Sequence, residues 1–316
     1  MRRVALVYNP ASGQDLWRGR SVIDSALAVL RKEGIRAEAL VAEGPGSAAR
    51  LTQEAVRGGC DSILACGGDG TVHAILQQLV GTQVGLGVLP MGTANALAVD
   101  LGFGSNPAKA IKLLLDAVPV RVPVGKVSYC DADGASKSSY FTVAAGVGAD
   151  ALFISRIDSR LKRKLGYLLY LLEGARVWAT HSFPMFQASF LERDTEKQRV
   201  VEVFQLFAIR IRNFGGALHN LAPGASLQNE RLTLLAFKTR SRLQFLRFLI
   251  AVLCRRHTFT KNIELLDVEA VECQAPDGSS SKVLIEADGE LLGHLPVRIE
   301  IVPDALTLLM SATREP

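Results

Sequence analysis

The stretch Cys66-Gly67-Gly68-Asp69-Gly70-Thr71, echoed by Pro90-Met91-Gly92-Thr93-Ala94-Asn95-Ala96, decides how the rest of the chain is read. Ser62-Ile63-Leu64-Ala65 before it is an apolar run of strand length, and Val72, Ile75, Leu76 and Leu79 after it recur at helical spacing. Three glycines and one aspartate therefore stand between the carboxyl end of a strand and the amino end of a helix. Glycine lets backbone approach a ligand closely. The first N–H groups of the helix carry partial positive charge suited to phosphate. A lone carboxylate there repels a phosphate directly, so its use runs through a metal ion or a hydroxyl proton. The pattern is a nucleotide-phosphate loop, though it has neither the Gly-Lys-Ser/Thr of a Walker loop nor a dinucleotide fingerprint.

Taken alone, Gly-Gly-Asp-Gly-Thr also fits a tight turn. The second loop decides between them. Val84–Leu89 is again strand-like, and Gly92-Thr93-Ala94-Asn95 again opens a helix, with Thr93 or Asn95 near the cap position. Two such loops after successive strands lie side by side at the carboxyl edge of a parallel sheet, where open α/β folds bind ligands.

Outward from this centre, Arg3 to Asn9 reads as a buried first strand ending in the polar loop Asn9-Pro10-Ala11-Ser12-Gly13. A helix over Arg18 to Glu33, a strand over Ala37 to Ala42 and a helix over Ser47 to Val56 complete an alternating pattern that implies a parallel sheet. Asn106-Pro107 caps a further helix reaching Asp116. Beyond Val118 the pattern changes. Val120–Tyr129, Tyr140–Ala145, Met185–Phe190 and Val201–Arg212 read as longer strands with turn-rich links such as Arg193-Asp194-Thr195-Glu196. Helices are expected over Leu165–Ala179 and Leu243–Cys254, and hairpin strands Val283–Ile285 and Val297–Ile301 around Asp288-Gly289-Glu290. The expectation is an α/β domain over 1–120 followed by a β-rich domain over 121–304.

The 316 residues are 48% hydrophobic and 21% charged, which excludes disordered and collagen-like classes. The net charge of +5 is a mild excess that an anionic substrate or a membrane surface would use. No aromatic-interleaved basic stripe or zinc spacing points to nucleic acid. Five scattered cysteines without a C-x-x-C fit reduced thiols in a cytoplasmic protein. The longest apolar run, Phe248–Cys254, is far short of a membrane span, so membrane contact is expected only at a surface.

With Asn9-Pro10-x-Ser12-Gly13, Gly67-Gly68-Asp69-Gly70-Thr71, Gly92-Thr93-x-Asn95 and Asp288-Gly289-Glu290 in this order, the chain resembles the diacylglycerol kinase catalytic domain family. That family takes in bacterial soluble lipid kinases and sphingosine kinases. The resemblance covers almost the whole chain and includes Gly146-Val147-Gly148-Ala149-Asp150, Lys164-Leu165-Gly166-Tyr167 and Asn213-Phe214-Gly215-Gly216. It implies an α/β nucleotide domain followed by a β-sandwich, with ATP in the cleft between them. It also implies that the last strand, about Ala305–Met310, returns to the first domain, so that 305–316 complete it.

On the same resemblance, Gly67, Gly68, Asp69, Gly70 and Thr71, with Gly92, Thr93 and Asn95, hold the ATP phosphates. Asn9 and Ser12 border the nucleotide. Asp288 and Glu290 face the γ-phosphate, and Asp150 approaches the lipid or a bridging magnesium. Phosphoryl transfer needs magnesium and a proton acceptor; Asp69, Asp150 and Glu290 are the expected metal ligands. Asp288 is the expected general base, with Asp69 the alternative.

The departures are specific. Ala96 follows Asn95 where bacterial diacylglycerol kinases carry aspartate, and His73-Ala74 replaces Asn-Glu. His73 and Asn95-Ala96-Leu97-Ala98 look more like sphingosine kinases, and His73 reads as a helix-surface or loop-packing residue. Asn229-Glu230 stands where the family usually has Asp-Gly, which puts a structural metal there in doubt.

The apolar residues after Asp150 and the stretch Leu165–Leu172 are read either as an acyl-chain pocket or as plain core. Arg160, Lys162, Arg163 and Lys164 are read as a headgroup-binding run or a solvated helix edge. Leu243–Leu249 with Arg255-Arg256-His257 reads as an interfacial helix or as a cover for the sandwich. The reading is an ATP- and magnesium-dependent kinase of a membrane lipid, diacylglycerol-like, peripheral at the bilayer, with a homodimer left open. A sphingoid-base kinase, an NAD kinase-like enzyme and a catalytically degenerate nucleotide- or lipid-binding protein are the alternatives.

Overall fold

The computed structural model describes residues 1–11, 16–131, 134–149, 151, 184–191, 197–214, 221–239, 241–253, 262–276 and 283–311. The chain divides into two compact units, one over Met1–Pro123, Asn213–Gly215 and Pro303–Pro316, the other over Val124–Arg212 and Gly216–Val302.

The first unit alternates β1 (Arg3–Tyr8), α1 (Leu16–Lys32), β2 (Arg36–Val41), α2 (Ser47–Arg57), β3 (Ser62–Gly67), α3 (Asp69–Leu79) and β4 (Gly85–Pro90). A short α4 (Ala96–Asp100) and α5 (Pro107–Leu115) follow. Strands β1, β3 and β4 are apolar along nearly their whole length and buried on both faces, as parallel strands covered by helices must be. The strands pair in parallel in the order β2-β1-β3-β4. Helix α1 packs on α5 and α2 on α3, and right-handed crossovers put the two pairs on opposite faces. Chain order reverses between β1 and β3, so the loops after β1, β3 and β4 share one carboxyl edge. At α5 the expected cap is present: the Asn106 side chain accepts from the N–H groups of Ala108 and Lys109, and Pro107 opens the helix.

The second unit is antiparallel. It contains β5 (Val118–Cys130, entering from the first unit), β6 (Ser136–Phe141), β7 (Ala144–Gly148), β8 (Phe186–Leu191), β9 (Gln198–Val203) and β10 (Gln205–Ile209). Then come β11 (Leu232–Phe237), α6 (Arg242–Leu253), β12 (Ile263–Val268), β13 (Ala270–Gln274), β14 (Leu284–Ala287) and β15 (Glu290–Met310). One sheet runs β12-β11-β10-β7-β14-β15; β13 joins β15 to β8 and β9, and β5 joins β15 to β6. Phe141, Val147, Phe186, Phe190, Leu206, Leu234, Val271, Ile285 and Val297 meet in one core. The fold class is therefore a mixed α/β domain followed by a β-sandwich-like domain.

Four expected strands differ from the observed ones, each for a topological reason. Tyr140–Ala145 is broken at Thr142-Val143, because β6 pairs with β5 while β7 pairs with β10 and β14. Val201–Arg212 is broken at Phe204, where the chain leaves β8 for β7 and β11, and the Phe204 N–H donates to the Phe237 carbonyl at 3.0 Å. The separate strands expected near Val297–Ile301 and Ala305–Met310 are one strand, β15, whose end pairs in parallel with β4 at Thr307 and Leu308. Arg121 fastens that end within the first unit. It donates to the Thr82 carbonyl (2.7 Å), the Thr307 hydroxyl (3.2 Å) and the carboxylate and carbonyl of Asp304.

Candidate active site

In the first unit, the three loops at the carboxyl edge are tied to one another. The Asn9 N–H donates to the Cys66 carbonyl (3.1 Å), and the Met91 N–H to the Gly67 carbonyl (3.1 Å). Asn9 closes its own loop by accepting from the Ala11 N–H at 2.9 Å and reaches the Thr71 hydroxyl at 3.4 Å. Gly68 and Gly92 pass so closely that a Cβ on Gly92 would lie 2.4 Å from the Gly68 Cα. This contact, rather than a positive φ, is the reason for glycine at position 92.

Asp69 joins the two phosphate-loop candidates chemically. Its Oδ2 accepts the Asn95 N–H (3.0 Å) and its Oδ1 the Ala96 N–H (2.9 Å). The first amides of α4 thus serve a carboxylate. Asn95 sits in the left-handed region (φ 50), a conformation asparagine tolerates. Its side chain does not cap α4 in the usual sense. It turns back, accepting the Gly92 N–H (2.8 Å) and donating to the Gly92 carbonyl (2.8 Å). Asn95 therefore shapes the loop. Thr93 and Gly70 are exposed, whereas Thr71 is buried against Asn9 and Gly67.

In the second unit, Asp288 occupies the turn between β14 and β15, also at φ 50. Its carboxylate fills the break between β6 and β7. Oδ2 accepts the Thr142 N–H (3.0 Å) and hydroxyl (3.4 Å); Oδ1 accepts the N–H groups of Val143 (2.8 Å) and Ala144 (3.1 Å). An ionised carboxylate offers about four acceptor positions, so these four donors match its capacity. Any proton that Asp288 accepts displaces one of them. Glu290, two residues on, is exposed, and no described residue hydrogen-bonds to its carboxylate.

Ser12, Asp150, the helix expected over 165–179, the basic run 160–164, the apolar run 152–154, the turn 193–196 and Arg255-Arg256-His257 lie outside the described residues. His73 is buried on α3, with its Nε2 3.3 Å from the Gln77 amide nitrogen, so it packs inside and is not on the helix surface. Ala96 is buried, and its backbone N–H donates to the Asp69 carboxylate.

Three residues went unnoticed in the sequence. Glu286, buried in β14, accepts the Gly289 N–H at 2.8 Å and braces the Asp288 turn. Asp100, buried at the end of α4, accepts the Asn213 N–H at 3.0 Å and ties down the start of the Asn213-Phe214-Gly215-Gly216 motif. Arg210 is fully buried. A charged residue inside an apolar run is the signal that marks all three: Leu284-Ile285-Glu286-Ala287, Ala98-Val99-Asp100-Leu101 and Ala208-Ile209-Arg210-Ile211.

The donor chemistry fits magnesium. That ion takes hard oxygen ligands, usually one or two carboxylates completed by phosphate oxygens and water. Glu290 offers an exposed carboxylate and Asp69 a loop-anchored one. Among the described residues no three His, Cys, Asp or Glu side chains form a ready-made cage. Burial pushes the thiols of Cys66 and Cys273 well above the usual range, so neither is a nucleophile at neutral pH.

Two family models match the chain: the diacylglycerol kinase catalytic domain over residues 3–127, and the YegS C-terminal NAD kinase beta sandwich-like domain over residues 142–310. A protein of Chromohalobacter salexigens named "Probable lipid kinase YegS-like" is 30% identical over 90% of this chain and 88% of its own length. A diacylglycerol kinase of Bacillus subtilis is 26% identical over 94% of this chain and 92% of its own. The crystal structure of a diacylglycerol kinase from Bacillus anthracis superposes with a TM-score of 0.73 at 21% identity, covering 98% of both chains. A yeast NADH kinase gives a TM-score of 0.52 at 11% identity, over 98% of this chain and 83% of its own, a likeness of fold alone.

Proposed function

The chain belongs to the diacylglycerol kinase catalytic domain family and is a lipid kinase, and from this we propose that it transfers the γ-phosphate of ATP to a hydroxyl of a diacylglycerol-like membrane lipid. The observation that carries the reading is Asp69 binding the amides of Asn95 and Ala96, which makes one surface of two glycine loops. Residues 1–120 with 305–316 form the nucleotide domain and 121–304 the lipid domain in this proposal. Catalysis of phosphoryl transfer is mainly positioning and charge neutralisation. Gly67, Gly68, Gly70, Gly92 and the exposed Thr93 hold the phosphates, while Asn9, Thr71 and Asn95 fix the loops. Asp69 in the first unit and Glu290 in the second are the carboxylates that would ligate magnesium, which would supply the positive charge that phosphoryl oxygens need; Asp150 would serve the acceptor or a bridging ion. Asp288 takes the acceptor proton, with Asp69 the alternative.

The deciding experiment is ADP release from ATP and magnesium in mixed micelles containing diacylglycerol, sphingosine, phosphatidylglycerol, NAD without lipid, or no acceptor. Diacylglycerol-dependent release is the expected result, with Asp69→Ala lowering it at least about 100-fold, the scale of losing a transition-state electrostatic contact. Sphingosine as the best acceptor would move the enzyme to the branch suggested by His73 and Ala96. Release with NAD alone, or none with any acceptor, would refute the lipid reading or leave a nucleotide binder.

The membrane side of the proposal rests on α6. Phe248 is buried, its ring edge-on to Phe237 with centroids 5.2 Å apart, and Gln244 is tied to Asn262 at 2.9 Å. The opposite stripe leaves Leu243 56%, Leu246 37% and Ile250 50% exposed beside the exposed Arg247. No described helix is long and apolar enough to cross a membrane, and this stripe fits a helix lying in the headgroup region. Changing Leu243, Leu246 and Ile250 together to serine is expected to weaken binding to anionic vesicles on the order of tenfold or more. Turnover of a water-dispersed short-chain acceptor should stay unchanged. Equal losses in vesicle binding and soluble turnover would assign the helix to the fold instead.

A further inference from the structure

Arg210 directly follows β10 and carries a guanidinium fully removed from solvent. It is aimed at one short loop. Nη1 donates to the carbonyls of Asn229 (2.6 Å) and Arg231 (3.0 Å), and Nη2 to that of Leu227 (2.7 Å). Three alternate residues of this turn-containing loop thus send their carbonyls to one positive charge. The loop is shaped for this by its own bonds: the Asn229 N–H donates to the Ser226 carbonyl (3.1 Å), and its side-chain amide to the Gly224 carbonyl (2.8 Å). Converging backbone carbonyls are the donor set that hard divalent cations use. The oxygens that a bound ion would take here already accept from Arg210.

We propose that the 227–231 loop is a cation site filled from within, the guanidinium of Arg210 doing for this unit what a bound divalent ion would do. Burial pushes the guanidinium down to about 10, which leaves it charged at neutral pH. Its planar fork reaches three acceptors at once, which a lysine ammonium on a flexible stem does less well. The loop and β11 are thereby fixed without metal. A small planar cation, or a divalent ion where a carboxylate is restored, is the chemical class that this hole accepts once Arg210 is cut back.

The test is thermal unfolding of the full chain without nucleotide, in EDTA, magnesium, calcium or 20–50 mM guanidinium chloride, a concentration of about one hundredth of that used for denaturation. Wild type is expected to unfold at the same temperature in EDTA and in calcium. Arg210→Ala should fall by roughly 5 °C or more and recover part of the loss in guanidinium ion, which leaves wild type unmoved. Arg210→Ala with Asn229→Asp should gain stability in calcium or magnesium and lose it in EDTA. Arg210→Lys, which keeps a charge, should lie between wild type and alanine, and it replaces the alanine variant in each comparison should that chain not fold. Wild type that needs a divalent ion for its stability would overturn the proposal. So would variants that respond to guanidinium and to divalent ions no more than wild type does.

Discussion

Asp288→Asn is expected to cost this protein both turnover and stability. Asparagine accepts the left-handed backbone at position 288, so the backbone is not strained by the change. What changes is one carboxylate oxygen becoming an amide nitrogen that donates. It then faces either Thr142, where the N–H is opposed but the hydroxyl can turn to accept, or the N–H groups of Val143 and Ala144, donor against donor. An unsatisfied buried donor costs about 1–3 kcal/mol, so one or two of them predict a loss of roughly 1–6 kcal/mol and a fall in Tm of about 2–15 °C. Turnover should fall at least about 100-fold, the lower range for a lost general base.

The comparison that interprets this is Glu290→Gln. Glu290 is exposed, so its stability should change by no more than about 0.5 kcal/mol, while turnover falls if it holds the metal. Thermal unfolding and ADP release on both variants separate the roles. An Asp288→Asn protein that melts like wild type would show that the break between β6 and β7 is not held by this carboxylate. A stable and fully active one would remove Asp288 from the chemistry too.

Gly92→Ala is the second large effect. A Cβ there would stand 2.4 Å from the Gly68 Cα, 3.3 Å from the Gly68 nitrogen and 3.0 Å from the Asn95 Oδ1. Two of these are backbone atoms and cannot rotate away. Relief requires the loops after β3 and β4 to separate, which strains the Met91–Gly67 hydrogen bond and the Asn95 clasp on Gly92. Overpacking of this kind costs about 1–3 kcal/mol, concentrated on the surface that is proposed to hold the phosphates. ATP affinity is expected to fall on the order of 100-fold, equivalent to about 2.7 kcal/mol.

Gly68→Ala is the control, because its nearest neighbour is the Gly92 Cα at 3.4 Å and its backbone is already extended (φ −90). It should melt like wild type. Weaker ATP binding by a stable Gly68→Ala would come from its methyl meeting the ligand, not from the loops parting. Equal Tm and equal ATP affinity for Gly92→Ala and wild type would mean that the loops yield freely, and the contact would lose its role. Isothermal titration with ATP and magnesium, alongside the melts, reads both quantities.

The amino-acid sequence by itself determined the fold class and the location of the two glycine loops. Strand and helix repeat at fixed short periods, and glycine, asparagine and aspartate mark turns through their own backbone preferences, so β1 to α5 are legible within windows of a dozen residues. The order of the motifs around Asp69 and Asp288 was legible for the same reason. What those carboxylates bind was not. Asp288 finds its donors 144 to 146 residues away, and Asp69 its own 26 and 27 residues away, because strand register brings those amides to them. The breaks at Thr142-Val143 and Phe204 follow from strands changing partners, which no local apolar pattern encodes. Arg210 stands out in sequence as a cation inside an apolar run, but nothing near it in the chain says what it binds. Only the folded 227–231 loop, presenting three carbonyls to it, turns the charge inward, because a buried cation is tolerated only where acceptors distant in the chain have been brought around it.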